Sequence, residues 1–110
     1  MENKTKTETF IGFAVRARAV RIGVNACATL KNAKLIIACH TASENTVKDA
    51  LKLAKRFRCR IIKTVKKPLS DYVHRENAKV TAITDLKLSE AILGAVTDDF
   101  IELFEENQNG

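Results

Sequence analysis

Apolar residues recur along this chain at two spacings, the 3.6-residue period of an amphipathic helix and the tighter pattern of a strand, and the two alternate from one end to the other. Phe10, Phe13, Ala14 and Ala17 fall on one helical face, which predicts a first helix over about Thr7–Arg18. Ala19-Val20-Arg21-Ile22 alternates as a short edge strand closed by Gly23. Asn25 is placed to cap a second helix running to about Asn32. The unbroken apolar run Leu35-Ile36-Ile37-Ala38-Cys39 is the pattern of a strand covered on both faces. Thr41-Ala42-Ser43-Glu44 fits a capping box with Thr41 as the cap, followed by a helical stripe of Val47, Ala50, Leu51 and Ala54. Arg60–Val65 reads as the next strand. Pro68 suits the first turn of a short helix over Leu69–His74, because its missing N–H would be unpaired there anyway. Val80–Thr84 reads as the last strand of the domain, with Asp85 capping a helix over Leu86–Leu93.

This order implies an α/β fold, a three-layer α-β-α sandwich around a small mixed four-stranded sheet. A chain of 110 residues makes one domain, and no linker or repeat divides it. The domain is expected over residues 1–96. Beyond it Leu93, Val96, Phe100 and Leu103, widened by Ile101 and Phe104, make a helical stripe with acidic residues opposite. Residues 97–110 are therefore expected as an acidic amphipathic C-terminal helix with a frayed end from Glu105. That helix packs on its own domain or meets another protein or a second copy; self-packing, and hence a monomer, is the expectation.

Charge locates the function more than any motif. Residues 1–96 hold nineteen Lys and Arg against eight Asp and Glu, a net +11, and the last fourteen residues carry −5. A body this basic attracts polyanions through phosphate contacts and counterion release. Cys27, Cys39 and Cys59 are odd in number, far apart and set among apolar or helical neighbours, so they read as structural thiols. Their spacing with His40 and His74 suits neither zinc nor a nucleophile–base pair. No run of about 18 apolar residues spans a membrane, and Met1–Lys6 lacks the apolar stretch of a secretory signal. The expectation is a cytoplasmic protein with no catalytic residue, no metal and no cofactor.

Four segments carry a family resemblance. Phe10-Ile11-Gly12-Phe13-Ala14-x-Arg16-Ala17-Arg18 resembles the opening helix of the bacterial YlxQ-type proteins, a branch of the superfamily of kink-turn-binding ribosomal proteins (large-subunit proteins seven-Ae and thirty-e). Ala33–Ala38 resembles that family's first long strand. Ser43-Glu44-Asn45-Thr46-x-Lys48 is similar to the start of its next helix, and Val80–Asp85 to its closing strand and cap. The resemblance covers about residues 10–95. It implies a thirty-e-like ribosomal protein fold that binds structured RNA, ribosomal or other non-coding, without catalysis or cofactor. In that family the RNA-facing motif is G-x-N-E-x-x-K at the start of the second helix, where free N–H groups and polar side chains meet phosphate and exposed bases.

The residues this places at the RNA are Arg21, Gly23, Asn25 and Lys31, and, from the loop before the last strand, Arg75, Asn77 and Lys79. Ala26 stands at the family's Glu and Thr29 at its Lys, so one anchor and one cation are missing. Two readings of Gly23 and Asn25 stand at this stage: an RNA contact, or an ordinary strand-to-helix turn with a helix cap. The 74–79 loop likewise reads as a contact or as a solvated connector. Lys48, Lys52 and Lys55, with Arg56, Arg58 and Arg60, form a basic face that holds RNA backbone or is simply the wet side of a helix. The alternative function on the same fold is a protein–protein interaction module in which RNA binding has weakened.

Overall fold

The run Leu35–Ala38 forms a strand, β2, in which all four residues are fully buried. A strand can be apolar on both faces only if helices cover both sides of its sheet, and that is the arrangement found. A computed structural model of the chain describes residues 4–104. The elements run α1 (Lys6–Arg16), β1 (Val20–Ile22), α2 (Val24–Ala28), β2 (Leu35–Ala38), α3 (Glu44–Phe57), β3 (Arg60–Thr64), α4 (Leu69–Val73), β4 (Val80–Ile83), α5 (Leu86–Ala95) and β5 (Phe100–Leu103). The strands lie in the order β1-β4-β2-β3-β5. Only β2 and β3 are parallel; the other neighbours are antiparallel, so the sheet is mixed.

Period-2 alternation sorts the core into two clusters. Leu35 and Ile37 face α1, α4 and α5, joining Ile11, Ala14, Tyr72 and Ile92. Ile36 and Ala38 face α2 and α3, joining Cys27, Ala50, Leu53 and Ala54. Burying each of these large aliphatic side chains contributes about 1.5–3 kcal/mol.

Four expectations are corrected. The sheet has five strands rather than four, because the segment after Val96 is not a helix. Val96 is extended, and Asp99 Oδ1 accepts from the Thr97 amide at 3.0 Å, a local bond that competes with continuing the helix. Phe100–Leu103 then pairs with the otherwise open edge of β3, seating Phe100 against Tyr72 with ring centroids 5.0 Å apart. Arg60 clamps the new edge, donating Nε and Nη2 to the two Glu102 carboxylate oxygens at 2.8 and 2.6 Å. The expected frayed end, from Glu105 on, lies outside the described residues. Second, α2 stops at Ala28, short of Asn32. Third, the residue before it is Gly23, at φ 100, so Asn25 lies inside the helix and does not cap it. Fourth, the cap of α3 is Ser43, whose Oγ accepts from the Thr46 amide at 3.1 Å, which leaves Thr41 free for other work.

Few glycines are available, so other residues close the helices in the left-handed region. Arg18 follows α1 at φ 60 and Arg58 follows α3 at φ 56. Each is followed by an amide that reaches back five residues, Ala19 to Ala14 at 2.9 Å and Cys59 to Ala54 at 3.0 Å, the signature of a Schellman closure. An L side chain there costs about 1–2 kcal/mol, which glycine avoids at the expense of a looser unfolded chain. Arg58→Gly should therefore raise unfolding stability by about 0.5–1 kcal/mol in urea titrations.

Candidate nucleic-acid interface

The pairing register collects three connections at one end of the sheet. Ile22 lies opposite Thr81 and Ala38 opposite Val80, so β1 and β2 finish where β4 begins. The Gly23 amide donates to the Val80 carbonyl at 2.7 Å, and the Cys39 amide donates to the Lys79 carbonyl at 2.8 Å. The start of α2, the turn after β2 and the loop before β4 thus meet in one place. Gly23 suits the corner: at φ 100 and ψ 143 its backbone takes a conformation that L residues rarely adopt, although a Cβ there would meet nothing within 4 Å.

Six of the seven expected residues, Gly23 among them, gather at this end or beside it. Asn25 is exposed one residue inside α2, and its side chain makes no hydrogen bond within the described residues. Arg75 and Asn77 are exposed in the loop before β4, with Asn77 turning the chain at φ 61. Lys79 is half-buried, and its Nζ donates to Thr41 Oγ1 at 2.7 Å. Arg21 is exposed in the middle of the edge strand β1, opposite Ala82. Lys31 does not join them. It follows α2 on the way to the start of β2, which lies at the other end of the sheet, and its neighbour Leu30 is tied there by Arg56 Nη2 at 2.8 Å. Thr29 is consumed in closing the helix, its hydroxyl donating to the Ala26 carbonyl at 2.7 Å.

Sequence reasoning missed the turn that holds this end together. Cys39 is fully buried at the end of β2, and its sulfur lies 3.1 Å from Thr41 Oγ1 and accepts from the Leu69 amide at 3.3 Å. Burial pushes this thiol up, but hydrogen bonds from the Thr41 hydroxyl and amide, the Leu69 amide and the Thr64 hydroxyl outweigh it and hold its pKa below the ordinary value. The chain Leu69–Cys39–Thr41–Lys79 therefore ties β2, α4 and the β4 loop together. His40 adds a further tie, its amide and Nδ1 lying 2.9 and 3.0 Å from Thr64 Oγ1. The Cys39-x-Thr41 spacing was the available signal; reading Thr41 as a helix cap hid it.

Electrostatics sets the α2/α3 layer, rather than this end of the sheet alone, apart from the β5 edge: Lys48 lies in the early part of α3, while Lys31, Lys34, Arg56 and Arg58 lie toward the opposite end. Residues 23–59, which supply the α2/α3 layer, hold seven Lys and Arg against two Asp and Glu. On α3 the exposed residues after Asp49 are Lys48's successors in the same stripe, Lys52, Lys55 and Arg56. The acidic residues near the C-terminus are spent elsewhere. Asp98 accepts from Lys66 at 2.9 Å and Glu102 from Arg60, at the sheet edge four strands from β1. Among the described residues, then, the anionic segment does not cover the Gly23 corner. With five residues, α2 is little more than one turn, so its dipole is small and side chains must carry any contact here.

Among the described residues no group of three or more His, Cys, Asp or Glu is placed to hold a metal ion, and no helix is long and apolar enough to cross a membrane. No protein-family model matches the chain, and no curated protein matches it. Among solved structures it is similar to a protein of unknown function from Bacillus halodurans C, at 20% identity and a TM-score of 0.71, covering 84% of this chain and 97% of that one. That likeness bears on the fold alone.

Replacing Cys39 removes the acceptor of the Leu69 amide and one partner of Thr41. Cys39→Ala should cost about 1–3 kcal/mol in denaturant unfolding. Because the folded thiol ionises below the ordinary value of 9.0, its contribution is absent at low pH and complete above the unfolded pKa. The gap between wild type and variant should widen as pH rises from neutral toward 9.

Proposed function

We propose that the protein is a non-catalytic, cytoplasmic binder of structured RNA that uses the end of the sheet formed by the α2 start and the β4 loop. The observation that carries this reading is Asn25. It caps no helix and bonds no neighbour, yet it is exposed beside Gly23 at the same end as Arg75, Asn77 and Lys79. A polar amide left unengaged on a short helix next to cations is suited to meet a base edge, with the cations meeting phosphate. The resemblance to the thirty-e-like, kink-turn-binding ribosomal proteins supports the same choice of surface and suggests ribosomal or other non-coding RNA as the target. Arg21, on the neighbouring edge strand, extends the cationic rim. Lys31 is left out of the footprint.

One observation favours the second reading, a protein-interaction module on this fold. Ala26 and Thr29 replace the family's anchor and cation, and Thr29 is committed to closing α2. General affinity for RNA is retained under the first reading by the remaining cations, while selectivity for the kink rests on Asn25 and Asn77.

Titration of the protein with a kink-turn RNA, an unkinked duplex and a transfer RNA across salt concentrations separates these readings. A specific binder keeps its preference for the kinked RNA as salt rises, whereas backbone-only binding gives equal affinities that collapse together. Asn25→Ala should weaken the preferred RNA by about 1–3 kcal/mol without loss of folding stability, since it caps nothing. Arg75→Ala and Lys79→Ala should each lower the salt slope by about 1. Lys31→Ala should leave affinity for the kinked RNA unchanged. Absence of binding to all three RNAs at low salt would favour the interaction module.

A further inference from the structure

At the end of the sheet opposite the α2 start, an open cleft of about 590 Å³ runs between the α3–β3 connection and one side of α5. Helix α5 offers Leu86, Ser89, Glu90 and Leu93 to it, residues spaced at three and four along one helical stripe. This side of α5 is not the one against α1, where the Thr7 hydroxyl bonds the Ala95 carbonyl at 3.1 Å. The floor is apolar, with Ala33 and Phe57 facing Leu93 and Leu86, and Leu86 is 53% exposed although it begins a helix whose other large apolar residues are covered. An apolar stripe left open beside a filled core is the mark of a surface that something else covers.

The rim has a sign. Lys34, Arg58 and Arg60 line the cleft against a single acid, Glu90. Arg60 is shared with Glu102, but Lys34 and Arg58 are exposed and form no ion pair with a carboxylate within the described residues; Lys34 lies near the Cys59 thiol. Arg58 is also the residue kept in the left-handed conformation at φ 56, a cost that glycine would avoid. Beneath the cleft floor, the Ser89 hydroxyl, on a residue 1% exposed, has no hydrogen-bond partner among the described residues.

We propose that this cleft is the docking site of a partner protein, which presents a short acidic segment carrying a large apolar side chain. The apolar anchor lies between Leu86, Leu93 and Phe57, and its flanking carboxylates meet Lys34 and Arg58. The cleft is a partly open depression rather than a cavity closed around a small molecule, which suits a peptide. The charge pattern selects an acidic segment over a basic one. The proposal stands apart from the RNA reading, since it uses the other end of the sheet and survives if RNA binding fails.

The test is a titration of the full chain, followed by amide chemical shifts, with an end-blocked hexapeptide of alternating glutamate and leucine. The same hexapeptide with lysine for glutamate is the control. The acidic peptide should shift the amides of residues 33–34, 57–60 and 86–93, and the basic one should leave them unmoved. Lys34→Glu with Arg58→Glu should weaken binding by roughly tenfold or more. Equal shifts with both peptides, no shifts at millimolar acidic peptide, or shifts centred on residues 23–25 and 74–79 would overturn the proposal. So would displacement of the peptide from these residues by duplex RNA, which would make the rim a phosphate contact instead.

Discussion

Strand β2 is hydrogen-bonded on both edges, antiparallel to β4 and parallel to β3, and all four of its residues are out of contact with solvent. Everything else follows from keeping it there. Two helical layers must cover its two faces, so α1, α4 and α5 take one side and α2 and α3 the other. Its neighbours must run in fixed directions, so the ends of β1, β2 and β3 and the beginning of β4 fall together. A one-residue slip would turn Leu35 and Ile37 onto the α2/α3 side and expose mismatched volumes on both faces, which is why the register is strongly specified.

The two ends of the sheet that result are chemically different. One end is polar and tied: Cys39, Thr41, Lys79 and Leu69 form a connected set, and the Asn25 amide stands unengaged beside it. The other end is an apolar cleft with a cationic rim and a buried, unpartnered serine. The ion pairs Arg60–Glu102, Lys66–Asp98 and Lys67–Glu8 each lie on or near the β3/β5 side, where they neutralise cations locally. As exposed or partly exposed pairs each contributes at most about 1 kcal/mol. Their larger consequence is electrostatic: they neutralise cations on the β3/β5 side, while residues 23–59 keep seven Lys and Arg against two Asp and Glu.

The order of helices and strands through α5 was legible in the sequence because each element carries its own period and punctuation. The Leu35–Ala38 run, the stripe of α3 and the cap Asp85, whose Oδ2 accepts from the Leu88 amide at 2.8 Å, are local signals that tertiary structure had no reason to override. Phe100–Leu103 was not legible. Its residues fit a helical stripe as well as a strand, and the decision was made by an unpaired edge of β3, distant in sequence and invisible to a periodicity. Caps were half legible for a similar reason. Thr41 and Ser43 are both good caps, and the competition went to Ser43 because Cys39 and Lys79 claim the Thr41 hydroxyl. Gly23, Asn25 and the 74–79 loop, expected together, do lie at one end of the sheet, while Lys31 lies apart because α2 is only five residues long and the chain beyond it has already started back toward β2.

The proposed binding of RNA is tied to one place, the end of the sheet where α2 begins. Amide chemical-shift mapping of the full chain with a saturating kink-turn RNA tests it most directly. The account predicts that the largest changes fall on residues 23–26, 40–43 and 74–79, with the β5 edge and the cleft beside α5 unchanged. Changes centred on Phe100–Leu103 or on the cleft, or spread evenly over every lysine and arginine, would contradict it.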